Sequence, residues 1–248
     1  MKQSLLSILF LITAISSFCQ DEEDRSDFYR DRALILKWSP SSLTTGKLTF
    51  GGEYNYKKKH SLEMFFGFPA AKNHKFDYDN SSSSLSSQGF SFLAGYRYYF
   101  GKKPHSGFYV EPYYKYLHHQ LDGMLKGDLN GESATFETHT DYKGMGVGAQ
   151  LGVQWLIVDR VCMDFFILGP EANSAKFYST ATDVASSIPW TEVDANEAAQ
   201  DIKDVIKKIP IVGNKIDVNV DQNTKTVTTG YRGFVPGLRF GASIGFRL

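Results

Sequence analysis

Cysteine is scarce: 248 residues contain two, Cys19 and Cys162. The first sits at the end of an N-terminal leader, so the mature chain would keep Cys162 alone and no intramolecular disulfide could form. Net charge is also missing. The 27 Lys and Arg balance the 27 Asp and Glu, which removes the basic field that nucleic acid binding requires. Past the leader, no apolar run approaches the ~20 residues of a spanning helix. There is no phosphate loop, no dinucleotide fingerprint and no Cys/His spacing suited to zinc, so neither cofactor nor metal is expected. These absences leave an all-β chain held together without disulfides, metal or long helices.

The leader itself has a basic start (Met1-Lys2), an apolar stretch from Leu5 to Ile15 and the exit Ser16-Ser17-Phe18-Cys19-Gln20. That is the pattern of a secretory signal peptide over residues 1–19. Phe18 argues against lipidation of Cys19, which prefers a small residue before it. Residues 20–248 then form one domain.

Aromatics are abundant, at 15% with 19 Phe and 14 Tyr. Much of the chain alternates with period two. In Gly233–Leu248, Leu238, Phe240, Ala242, Ile244, Phe246 and Leu248 alternate with small residues and with Arg239 and Arg247. Similar alternation marks seven earlier strands: Ala33–Trp38, Lys47–Lys57, Ser61–Phe68, Gly89–Phe100, Gly107–Gln120, Tyr142–Ile157 and Val161–Leu168. In each, one face is aromatic or aliphatic and the other carries charge or glycine. A soluble sandwich would have to bury Arg97, Lys115 and Arg239 in its core and present Phe, Tyr and Leu to water. A membrane barrel reverses the faces: lipid meets the apolar side and a polar interior takes the charges.

The expected architecture is therefore an eight-stranded antiparallel transmembrane β-barrel in the outer membrane, with both termini periplasmic. Connections alternate short and long, as that class requires, except that the loop between the first two strands is shorter than expected. Pro69–Ser87 is serine-rich and reads as a mobile loop. Asn130-Gly131 is a hairpin signal that extends the fifth and sixth strands into an outer arm. Residues 170–231 read as a long extracellular loop. It would hold a helix over Val193–Ile209, ended by Pro210, and a hairpin of Ile216–Val220 with Thr224–Thr229.

ALILKWSPSSLTTGKLTFGGEYNY, ILGPEA, the helix leading to KKIPIVGNKI and the terminal PGLRFGASIGFRL resemble a family of small outer-membrane barrels of Gram-negative bacteria, known mainly as a domain of unknown function. The resemblance implies a fold and a location, and it brings no catalytic residues.

The candidate site is a lumenal ion-pair network of Lys37, Glu53, Glu63, Arg97, Glu111, Lys115, Asp164 and Arg239, all on inward positions. An eight-stranded barrel is just wide enough for its own side chains, which favours a ladder of ion pairs over an ion path. Inward glycines on the sixth and eighth strands leave room for large residues opposite, such as Arg97, Tyr99, Tyr109 and Tyr113, or else for a small ligand. His118, His119, His139 and Asp141 cluster near the outer ends of two strands without a serine or cysteine nucleophile. Ile202, Val205, Ile206 and Ile209 form a stripe that docks on the loop's own arm or faces a partner. The functional expectation is a non-enzymatic scaffold or surface-interaction protein. It would contact outer-membrane lipid and, through its long loops, a membrane protein or extracellular ligand. A narrow pore or small-ligand carrier is the first alternative, and a lipid-modifying enzyme the second.

Overall fold

Period-two alternation builds a single antiparallel sheet. The structure, a computed structural model, describes residues 33–248 except 71, 79–80, 102, 104, 130–131, 159, 186–189, 194, 197–198 and 201–214. Its strands are β1 Ala33–Ser39, β2 Lys47–Lys57, β3 His60–Pro69, β4 Lys72–Tyr78, β5 Ser81–Tyr99, β6 Gly107–Leu129, β7 Glu132–Ile157, β8 Val161–Asp183, β9 Asp217–Asp221 and β10 Thr226–Arg247. Eight of them pair in the order β1-β2-β3-β5-β6-β7-β8-β10, and β10 returns to β1 through Ile35↔Arg247 to Trp38↔Ile244. The ring of pairings closes, so it presents no unpaired edge. β4 and β9 lie outside the ring, paired with β5 and β10.

The faces divide by polarity in the unusual direction. Along β1, Leu34, Leu36 and Trp38 are exposed, while Ile35 and Lys37 are buried. Phe108, Phe240 and Leu238 are 70%, 73% and 61% exposed. Inside, Arg97, Glu53, Glu111 and Asp164 have no accessible surface at all.

Two segments differ from the sequence reading. Part of serine-rich Pro69–Ser87 is strand rather than loop: β4 and the first residues of β5 form a hairpin, Lys72↔Ser87 to Tyr78↔Ser81. Serine offers a ladder the same backbone donors as any residue, but it has no apolar periodicity to betray them. The span 170–231 is also not one loop. β8 continues to Asp183 and β10 begins at Thr226, and the two pair without a break from Thr226↔Thr182 to Arg239↔Gly169. A β-bulge hides this continuity. Between Phe166 and Gly169, β8 carries one more residue than its neighbours, so Ile167 and Leu168 are both exposed and the alternation changes phase. Pro112, which has no backbone N–H to give the ladder, marks a local gap in pairing. The β5–β6 pairing is interrupted between Gly95↔Tyr113 and Tyr98↔Val110, with the register unchanged on either side.

The connection from β1 to β2 is a 3-10 turn, Pro40–Thr45, closed by Gly46 in the left-handed conformation. The β6–β7 arm pairs to Leu129↔Glu132, as the Asn130-Gly131 signal implies. Above the ring, Trp190, Ala195 and Val227 bury one another, with Phe136, Val218 and Val220 packed alongside. Residues 192–193, 195–196 and 199–200 are helical. The stripe of Ile202, Val205, Ile206 and Ile209 lies outside the described residues.

Inward glycines on β7 make room for tyrosines from β6. A Cβ on Gly148 would stand 2.6 Å from the Tyr113 ring and 2.8 Å from the Pro170 carbonyl oxygen, one of which is immovable backbone. Gly148→Ala should therefore cost about 1–3 kcal/mol, the usual cost of overpacking, read as a lower temperature for loss of compact migration on unboiled gels. Gly230→Ala, which meets nothing within 4 Å, should leave that temperature unchanged.

Candidate functional site

The site begins with a conflict that the register imposes. Glu53 on β2 and Glu63 on β3 are directly opposite each other, and both face inward. Like charges in that position repel. Lys37, from β1, resolves half of the conflict: its Nζ lies 2.6 Å from Glu53 Oε2 and 2.7 Å from Glu63 Oε1. Arg97, from β5, resolves the other half. Its Nη2 donates to Glu63 Oε2 at 2.6 Å and its Nη1 to Glu53 Oε2 at 3.4 Å, while its Nε donates to Glu111 Oε2 at 2.6 Å. Asp164 reaches in from β8 and takes both cations, Lys37 at 3.1 Å and Arg97 Nη1 at 2.8 Å. The planar guanidinium can serve several carboxylates at once, which a lysine ammonium does less well.

Neutral groups complete the shell. Tyr99 and Ser61 each donate to Glu53 Oε1 at 2.6 Å, and Tyr109 donates to Asp164 Oδ1 at 2.6 Å. Gln154 Oε1 accepts from Lys37 and from Arg97. Its amide donates to the carbonyl of His105 at 3.0 Å. His105 belongs to the β5–β6 connection, has a left-handed backbone at φ 56° and is fully buried beside Glu53. His105 therefore packs inward, against the cluster. Tyr109 also lies against Arg97, whose guanidinium carbon is 4.1 Å from the ring centroid.

Lys37, Glu53, Glu63, Arg97, Glu111 and Asp164 thus form one buried cluster. Lys115 and Arg239 do not join it. Phe65, Leu93 and Tyr113, one inward step along their strands from Glu63, Gly95 and Glu111, form an apolar layer. Beyond it, Lys115 pairs with Glu171, which also accepts from Tyr113 at 3.0 Å. Arg239 donates to Gln150 Oε1 at 3.0 Å and lies over Phe166 at 4.4 Å. Gln150 in turn donates to Glu111 at 2.8 Å, so polar contacts connect all eight ring strands.

The sequence reading missed His105 and Glu171, for different reasons. A histidine in a short turn carries no alternation to place it. Glu171 lies past the bulge, in a stretch read as loop. The expected histidine group also divides. His118 meets Asp141 at 2.7 Å and His139 meets Asp122, both on the outer face. Burial raises the Asp141 carboxyl, but hydrogen bonds from His118 and Lys143 outweigh it and hold the group below the ordinary carboxylate range. His119 faces inward, 3.0 Å from both Ser87 Oγ and the Thr45 carbonyl. A carbonyl only accepts, so His119 Nε2 carries the proton and is no base for Ser87. Among the described residues no group of His, Cys, Asp and Glu is arranged to hold a metal ion.

In the comparisons with known proteins, the model of a family described as a protein of unknown function (DUF3575) matches residues 9–183. The matched span ends where β8 ends. No curated protein and no solved structure matches the chain.

What the cluster can do is brace. Removing Arg97 would leave Lys37 alone against four carboxylates. Stranding buried charge in this way typically costs about 3–5 kcal/mol, so Arg97→Met should lower the unfolding temperature clearly. Arg97→Met with Glu63→Gln and Glu111→Gln should recover part of the loss, because Lys37 then faces only Glu53 and Asp164. Equal unfolding temperatures for wild type and Arg97→Met would show that water, not Arg97, compensates the carboxylates.

Proposed function

The chain belongs to the DUF3575 family, whose function is unknown, and from that premise we propose that it is an outer-membrane β-barrel with a plugged interior, acting as a scaffold or surface-interaction protein. One observation carries this reading: the closed ring exposes its aromatic and aliphatic side chains and buries its charges. In water, an apolar surface of that extent on every ring strand would be an aggregation hazard. In a bilayer it is the surface lipid requires, and the closed pairing satisfies the backbone that lipid cannot.

The interior supports a brace rather than a path. The side chains of Lys37, Glu53, Glu63, Arg97 and Asp164 have no accessible surface. His105, fully buried, packs against them beside Glu53. Groups free to meet another molecule lie at the other end, on the β6–β7 arm and around the small core of Trp190, Ala195 and Val227. That end would be extracellular, and an outer-membrane protein or extracellular ligand would dock there.

Purified protein should insert into vesicles, migrate as a compact form until boiled, and show no sustained conductance in planar bilayers. Steady ion-selective openings would overturn the plugged reading. Failure to insert would overturn the membrane reading.

A further inference from the structure

The outer face carries a row of cations where its apolar surface ends. Lys143 on β7 is directly opposite Lys176 on β8, and Lys176 is directly opposite Arg232 on β10. All three are exposed. Like charges on adjacent strands repel, so the row is a cost to the free sheet. Lys143 recovers part of it from Asp141 at 3.2 Å. Lys176 and Arg232 make no ion pair among the described residues.

The next outward positions toward the middle of the ring are Met145, Ser174 and Phe234, paired across the same three strands. Below them lie Val147, Leu151, Leu238 and Phe240, all exposed. The cations therefore stand one residue pair above the apolar band. A hollow of about 460 Å³ opens there, lined by Lys143, Lys176 and Arg232 with Asp141, Tyr178 and Asp217. Two of these are carboxylates. Asp141 is engaged by His118 and Lys143, and the lining stays net positive, with Lys176 and Arg232 as its uncommitted charges.

We propose that Lys176 and Arg232, helped by Lys143, bind the phosphorylated headgroup of a lipid in the surrounding outer leaflet. This deepens the membrane reading and rests on it. The height of the row selects a lipid over a soluble anion, because a headgroup whose acyl chains lie along Phe234 and Met145 holds its phosphate at that level. The chemistry selects phosphate. An arginine fork can take two of its oxygens at once, and a lysine adds a point charge. An anion between them also removes the repulsion within the row.

The test is retention of lipid by purified protein in vesicles of phosphatidylcholine containing a minority of phosphatidic acid, a phosphomonoester lipid. Bound lipid is counted by native mass spectrometry after gentle extraction, and insertion and compact migration are recorded on the same samples. Wild type should retain phosphatidic acid in preference to phosphatidylcholine. Lys176→Gln with Arg232→Gln should insert equally well and lose about tenfold of that preference, given the usual contribution of basic residues at an anionic surface. Lys103→Gln with Lys225→Gln, outside the row, should keep it. Equal retention by the row variant would overturn the proposal. So would displacement by inorganic phosphate at concentrations matching the lipid, which would make the site one for free anions. Protein that fails to insert would overturn the membrane reading and this inference with it; protein that inserts without preference would overturn the inference alone.

Discussion

A charge taken out of water needs its counterion inside the same enclosure, and the described fold is arranged around that need. Four carboxylates and two cations share a space without solvent access. Each cation is held by residues from several strands, so a strand that moved would strand a charge. Hydrogen bonding closes the ring around its circumference, and the ionic cluster ties it across the middle. These constraints act at right angles, which is why a chain with a single cysteine in its described part needs no disulfide.

The cluster also accounts for features that look unrelated. The β5–β6 connection bends inward and takes a left-handed backbone at His105, and in exchange its carbonyl meets Gln154 and its ring approaches Glu53. Glycines at 148 and 152 look like weak strand residues, yet Tyr113 and Tyr109 occupy the space they leave. Tyr109 then brings its hydroxyl to Asp164. The gap in the β5–β6 ladder opposite Pro112 lies beside Arg97 and Glu111. A direct charge-assisted bond spans the two strands there in place of the missing backbone pairs.

Much of this was legible in the sequence because alternation reports on sidedness. Period two placed Lys37, Glu53, Glu63, Arg97, Glu111 and Asp164 on one face, and the short connections set Glu63, Arg97 and Glu111 at similar heights. Alternation fails where the phase shifts or where residues lack apolar character. The bulge at Ile167–Leu168 shifted the phase, and with it the continuation of β8 and the role of Glu171 were lost. β4 and the start of β5 were missed because serines give no contrast between faces. Height was the other weakness: Lys115 and Arg239 point inward as read, but they sit beyond the apolar layer of Phe65, Leu93 and Tyr113, with partners of their own.

The direction in which the faces point is the claim on which the rest depends, and the native tryptophans can report it. Trp38 and Trp155 are on the outer face of the ring, whereas Trp190 is buried in the small core with Ala195 and Val227. Single-tryptophan variants in vesicles of acyl-brominated lipid should show strong quenching of Trp38 and Trp155 and little of Trp190. Aqueous iodide quenching Trp155 while brominated chains leave it untouched would mean that water, not lipid, covers the apolar face, and the account would be wrong.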